Sequence, residues 1–233
     1  GYGMADLEKE VPSSPSTIYS ICSISKLFTS VAVMHLRDAG KLRLDDLVVN
    51  HLPWFNLQQH YPDTGPITIR SLLTHSSGIP RESDYPYWNG PDFPFPTTEQ
   101  VKAKLGTQKT IYPPSTYFQY SNLGLTLLGE IVEEVAGMPY EQYVEENILQ
   151  PLRLTETRTK LPESLWRGKL ATGYSARKRD GNRDMLSLFQ ARGIAAAAGF
   201  SSTVEDLARF ASWQFRLLEK GGEEIKSKLR LDT

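Results

Sequence analysis

The chain has 233 residues, enough for one large domain or a domain carrying a substantial sub-domain. Its 26 Lys and Arg nearly cancel 27 Asp and Glu, leaving a formal net charge of -1, so no overall field draws it to nucleic acid or to an anionic bilayer. Hydrophobic content of 39% and charged content of 23% fit a folded globular chain rather than a disordered one. The longest apolar runs, such as Leu123 to Leu128, are broken by Gly and Thr and are too short to span a membrane. The single cysteine, Cys22, excludes an intramolecular disulfide framework and a Cys-based zinc site.

Residues 1–22 read as a short extended piece followed by a turn-rich link, with Pro12, Ser13, Ser14 and Pro15 as breakers. No secretory signal pattern is seen at the start, and the polar stretch 225–233 carries no closing element, so both ends read as cut. From Ser23 the pattern turns helical. Ile24, Leu27, Phe28, Val31 and Met34 recur at three and four, and Gly40 follows, which predicts a helix over Cys22–Ala39. A polar turn at Lys41–Asp46 leads into a short apolar piece around Leu47–Leu52. Thr68 is placed to cap a second helix through Leu73, ending near Gly78. Residues 80–98 interleave Pro86, Pro91, Pro94 and Pro96 with Tyr85, Tyr87, Trp88, Phe93 and Phe95. That composition predicts an irregular aromatic loop, which either covers an apolar flank or walls a substrate cleft.

Leu123, Leu127, Ile131 and Val135 share one helix face, with Asn122 as candidate cap and Gly137 as terminator. Pro139 opens another helix to about Leu149, and Pro151 closes it. Residues 155–198 are mixed and contain a basic, solvated loop at 177–181. Ser202 with Glu205 reads as a capping box for a helix to Lys220, stopped by Gly221 and Gly222. Helices dominate and strands are few.

Chemistry is suggested first by Ser23-Ile24-Ser25-Lys26. On a helix i and i+3 share a face, which brings the Lys26 amine within one turn of the Ser23 hydroxyl. A helix start adds free N–H groups suited to a developing anion. The amine serves as base only where burial and positive neighbours make it release its proton readily. The tetrapeptide alone also fits a plain cap or packing role. With twenty serines and twelve lysines, roughly one chance Ser-x-x-Lys is expected. A second copy, Ser175-Ala176-Arg177-Lys178, sits in the polar loop, where no helix orients the lysine. Tyr120-Ser121-Asn122 is the next element: a phenol and an ammonium can share a proton, and an amide can hold a substrate carbonyl. Taken alone, the same residues fit a buried ring and a simple helix cap.

Together these segments resemble the serine β-lactamase-like hydrolases, in the branch of class C β-lactamases, D-alanyl-D-alanine carboxypeptidases and esterases. The resemblance covers most of the chain. It runs through Gly1–Asp6, Ser23–Thr29, Ile69–Gly78, Tyr120–Gly124, and Ala198–Thr203 with Asp206–Phe210, in the family's order. It implies an α+β fold in which an antiparallel sheet is flanked by helices, with a mostly helical sub-domain over 41–195 inserted between sheet-side portions 1–40 and 196–233. It implies Ser23 as acylated nucleophile, Lys26 and Tyr120 as proton-transfer partners, Asn122 as a contact to the substrate's carbonyl or amide, and the Ser23 N–H as one oxyanion donor. The expected reaction is acyl-enzyme formation on an amide, β-lactam or ester carbonyl of a small molecule or peptide, with no cofactor. A penicillin-recognising binder or an inactive fragment is the alternative. The resemblance also favours an extracytoplasmic setting. The family's third motif, Lys-Thr-Gly or His-x-Gly on a later strand, is absent from these residues, so the sheet is expected to be incomplete.

His75 falls in a turn beside the proposed cleft; the resemblance makes it structural, with a supporting role behind the site residues as the lesser alternative, and the same alternative is weaker still for His35, His51 and His60. No His-x-x-x-His or Glu-x-x-His spacing suggests a metal. No Gly-x-Ser-x-Gly elbow or phosphate-binding glycine loop points to an α/β-hydrolase or a nucleotide enzyme.

Overall fold

The structure, a computed structural model, describes residues 1–89, 93–166 and 168–218. The described strands are short: β1 Met4–Asp6, β2 Val11–Pro12, β3 Tyr19–Ser20, β4 Gly173–Tyr174, β5 Met185–Leu186 and β6 Ser201–Ser202. They pair antiparallel, two at a time, as β1-β2, β3-β6 and β4-β5. The β3-β6 pair matters most for position. Tyr19 faces Ser202 and Ser20 faces Ser201, and Ile21 N–H donates to the Phe200 carbonyl at 2.9 Å. The turn that follows β3 is thereby stitched to the segment before β6.

That turn is a 3-10 turn, Cys22–Ile24, running into α1, Ser25–Asp38. Phe28, Val31, Ala32, Val33 and Leu36 are buried along α1, but of the stripe its spacing predicts only Phe28 and Val31 are buried: Met34 is half-buried, and Ile24 and Leu27 are exposed at 42% and 53%. Phe28 stacks on Phe200 at 5.0 Å and meets Phe210 at 4.5 Å. The buried Ser25 hydroxyl accepts from Phe200 N–H at 3.0 Å. The apolar piece near residue 50 forms α2, Val48–His51, and α3 is Ile69–Leu73 with the expected Thr68 cap, completed by Ser71.

A helix that the sequence reading passes over, α4, spans Thr98–Leu105. Its signal lies in Thr97 and Gln100, which exchange side-chain-to-backbone bonds as a capping box. The aromatic loop before it packs inward. Tyr87 and Phe95 are buried, and Trp88, Phe95 and Phe189 contact one another ring to ring. Pro91, assigned to the same loop, lies outside the described residues.

The longest buried element is α5, Asn122–Ala136, in which Leu123, Leu125, Leu127, Leu128, Ile131 and Val132 are all buried. A helix apolar around most of its circumference is enclosed by others, here α1, α3, α6 (Tyr140–Val144) and α7 (Ala195–Ala198). Its cap corrects an expectation. Ser121, not Asn122, is the N-cap and accepts Gly124 N–H at 2.9 Å. Gly137 ends the helix in the left-handed conformation at φ 68°. Beyond Pro139, α6 passes into a wider π turn, Glu145–Leu149.

The last described helix, α8, is Val204–Leu218; the expected stop at Gly221 and Gly222 lies outside the described residues. Its cap is again one residue off the sequence reading. Thr203 Oγ1 accepts from Asp206 N–H at 3.2 Å, while Ser202 is in β6 and bonds Thr157 at 2.8 Å.

Close approach of α5 and α7 depends on one glycine. A Cβ on Gly129 would lie 2.5 Å from the Ala196 Cβ, closer than carbon atoms tolerate, with no flexible end to swing away. Gly129→Ala is expected to destabilise the fold by about 1–3 kcal/mol, read as a lower urea midpoint. A midpoint equal to the parent's would show that α7 yields freely.

Candidate active site

Ser23 and Lys26 lie one turn apart because the 3-10 turn and α1 are continuous. The approach is tight: Cys22, just before Ser23, has φ 43°, a left-handed conformation that costs energy for a residue with a Cβ. Ser23 is exposed, whereas Lys26 is only 7% exposed. The Lys26 ammonium donates to Ser23 Oγ at 3.2 Å and to the Ala197 carbonyl at 2.8 Å. Below it, Thr29 Oγ1 donates to the Ala196 carbonyl at 2.6 Å and meets Tyr140 OH at 2.7 Å. Two carbonyls of α7 thus orient successive polar residues of α1. Burial drives the Tyr140 phenol far above the usual range, with Thr29 partly opposing, so it stays protonated.

Tyr120 arrives from the other side, 97 residues along the chain, and its OH lies 2.7 Å from Ser23 Oγ. The Lys26 ammonium sits 4.8 Å from the centre of the Tyr120 ring, and the Arg81 guanidinium 5.0 Å from it. Burial lowers the Lys26 pKa, with the Tyr120 hydrogen bond and charge partly restoring it. A depressed lysine gives up its proton more easily, which suits a base beside a hydroxyl. One hydroxyl, one amine and one phenol therefore share a connected proton path.

Asn122 occupies the first turn of α5 and is 2% exposed. Its amide nitrogen donates to both Glu82 oxygens, at 2.8 and 3.1 Å, and its backbone N–H donates to the Arg81 carbonyl at 2.8 Å. A carboxylate accepts only, so Glu82 fixes which end of the amide faces it. The amide oxygen is left buried without a partner among the described residues. Glu82 escaped the sequence reading. It also accepts from Trp88 Nε1 at 3.2 Å, from Arg81 Nε at 3.1 Å and from the Tyr87 hydroxyl. The aromatic loop thus reaches the site through Glu82. Arg81, Tyr87 and Trp88 lie within six residues of Glu82, but Asn122 is 40 residues away, and nothing local in the sequence signals that link.

The second Ser-x-x-Lys does not assemble. Lys178 pairs with Asp184 at 2.6 Å and the Ser175 hydroxyl bonds the Ala176 carbonyl at 2.9 Å. Among the described residues no group of three or more His, Cys, Asp or Glu is placed to hold a metal, and no helix is long and apolar enough to cross a membrane.

Comparison with known proteins gives a consistent set. The family model described as Beta-lactamase matches residues 1–232. Protein flp of Staphylococcus aureus (strain COL) is 34% identical over 160 residues, which is 69% of this chain and 32% of flp. The octameric penicillin-binding protein homologue from Pyrococcus abyssi superposes with a TM-score of 0.76 at 31% identity, over 94% of this chain and 49% of that one. The beta-lactamase/D-alanine carboxypeptidase from Yersinia pestis gives 0.74 at 27%, over 91% and 57%. The chain therefore spans about a third of the flp sequence and about half of these solved structures. The α+β, β-lactamase-like fold read from the sequence is borne out by these likenesses.

Proposed function

This chain belongs to the Beta-lactamase family, and we propose that it is a serine hydrolase that works through an acyl-enzyme on Ser23. The observation that carries this reading is the meeting of Ser23 Oγ with Tyr120 OH at 2.7 Å and Lys26 Nζ at 3.2 Å. Ser23 Oγ attacks the carbonyl carbon while its proton passes to the Lys26–Tyr120 pair. The carbonyl oxygen becomes an oxyanion, for which the Ser23 N–H is the assigned donor. Collapse expels the leaving nitrogen or oxygen, which takes the proton back through Tyr120. Water then attacks the acyl-Ser23 ester, the same pair removes the water's proton, and the acid departs as Ser23 regains its hydrogen. No cofactor takes part in this scheme.

Asn122 is assigned as a contact to the substrate's carbonyl or amide: its amide nitrogen donates to Glu82, and its unpartnered amide oxygen keeps capacity for a donor. The division of the chain into 1–40 with 196–233 and an insertion over 41–195 belongs to the same reading. It is supported by the sources of the site: Ser23 and Lys26 come from the first part, Tyr120 and Asn122 from the insertion. The substrate class is an amide, β-lactam or ester carbonyl on a small molecule or peptide.

Incubation with a fluorescent penicillin and, separately, a fluorophosphonate tests the scheme, followed by intact mass and peptide mapping. A penicilloyl or phosphonyl adduct on Ser23 is expected, with the penicilloyl adduct decaying as product acid accumulates. An adduct that never decays makes the protein a penicillin-recognising binder. No adduct with either probe overturns both.

A further inference from the structure

His75 lies beneath Tyr120 and grips the chain on both sides of it. Its ring is 4.7 Å from the Tyr120 ring, tilted by 33°. Its Nδ1 accepts from Ser121 N–H at 3.1 Å, and its carbonyl accepts from Gln119 N–H at 2.7 Å. The residues before and after the phenol are thus both bonded to this one residue. The backbone is bent to allow it, since His75 has φ 55°, a conformation that residues with a Cβ rarely adopt. Ser76 extends the clamp, its carbonyl accepting from Ser115 N–H at 2.7 Å.

We propose that His75 is a positioning residue for Tyr120 and holds the phenol on Ser23 only while its ring is neutral. This rests on the Ser23–Lys26–Tyr120 reading and adds a condition to it. The Ser121 N–H can only donate, so Nδ1 must carry a lone pair and the ring proton sits on Nε2. A proton taken up from solvent has one place to go, Nδ1, where two N–H groups would then face each other. The bond becomes a repulsion and the segment 119–121 is released from its anchor.

Among the charged and titratable neighbours, Lys26 favours the neutral ring. Lys26 on α1 and Arg81 in the loop after α3 both lie against Tyr120, and the Glu82 carboxylate is committed to Asn122, Tyr87, Trp88 and Arg81. Burial first, and the Lys26 charge second, lower the His75 pKa. The clamp is intact above the ordinary histidine value of about 6.5 and is lost as the pH falls through the lowered native value.

Two substitutions separate positioning from mere packing. His75→Asn puts an amide oxygen where Nδ1 stood, tolerates positive φ and does not titrate. His75→Phe keeps the ring and removes the acceptor. With Lys26 and His75 both required without their extra protons, the logarithm of the Ser23 phosphonylation rate should rise with a slope of two at low pH in the parent, easing to one above the His75 transition. His75→Asn is expected to stay within about five-fold of the parent at pH 7 and to show a slope of one throughout. His75→Phe is expected to lose about 10²-fold, the scale of a small misplacement of a reacting group, with its unfolding midpoint measured alongside. Independently of any activity, the Ser121 amide proton resonance should shift with pH in the parent and stay fixed in His75→Asn. A slope of two surviving in His75→Asn, or a pH-independent Ser121 resonance in the parent, overturns the proposal. Absence of any labelling in the parent, with the Ser121 resonance still titrating, overturns the acyl-enzyme reading and leaves the clamp standing.

Discussion

Ser23→Ala is expected to abolish covalent labelling and to lower turnover by about 10⁶-fold, the scale on which removing a serine nucleophile acts. The substitution deletes only the Oγ that forms the acyl bond. Its contacts are with Tyr120 and Lys26, and the side chain is exposed, so the fold loses little. The unfolding midpoint should therefore stay close to the parent's while the adduct vanishes from the mass spectrum. Ser175→Ala is the matched control. Ser175 begins the other Ser-x-x-Lys, and its hydroxyl bonds the Ala176 carbonyl and Asp184 N–H rather than a lysine. That variant should label at the parental rate. Equal labelling of Ser23→Ala and the parent would move the nucleophile elsewhere and end the scheme.

What could be read in advance divides by range. Lys26 reaches Ser23 because helical geometry alone brings i and i+3 together, and α1 and α5 are legible from apolar spacing. Capping is legible only to within a residue. Ser202 with Glu205 fits the box pattern, yet Thr203 Oγ1 accepts the Asp206 N–H one residue on, while the Ser202 hydroxyl meets Thr157 and the Asp206 carboxylate takes Glu156, Thr157 and Arg209. Asn122 looks like a cap for the same reason, yet Glu82 draws its amide away and leaves the role to Ser121. Helix α4 shows a true capping box, but only Val101 and Leu105 are buried along it, too few to stand out beside a proline- and ring-rich loop. Glu82 was not readable at all. It is 40 residues from Asn122, and its importance comes from the number of donors that converge on it, a property of the folded chain. The approach of Tyr120 to Ser23 is equally long-range. Only resemblance to a family points to it, and no local rule supplies it.

Lys26→Arg is the second large effect, and it separates charge from proton transfer. The guanidinium keeps a positive charge beside Ser23 and Tyr120 and retains donors for the Ala197 carbonyl, but it does not release a proton in this pH range. Turnover and labelling are expected to fall by about 10²–10⁴-fold, the worth of a positioned general base. The pH dependence carries the sharper signature. Burial holds the Lys26 pKa below its usual value, so the parent's rate should climb with pH as the amine becomes neutral. The Lys26→Arg variant should lack that climb. Stability follows the same proton. Between the lowered native pKa and the ordinary lysine value of about 10.4, the unfolded chain binds the proton that the native chain has released. Parental stability should therefore rise with pH across that window and fall back as the pH drops through the native value. Urea midpoints across the window should show the rise in the parent and not in the variant. If the arginine enzyme keeps both parental activity and the parental climb with pH, Lys26 serves only as a fixed charge, and Tyr120 alone must take the serine proton.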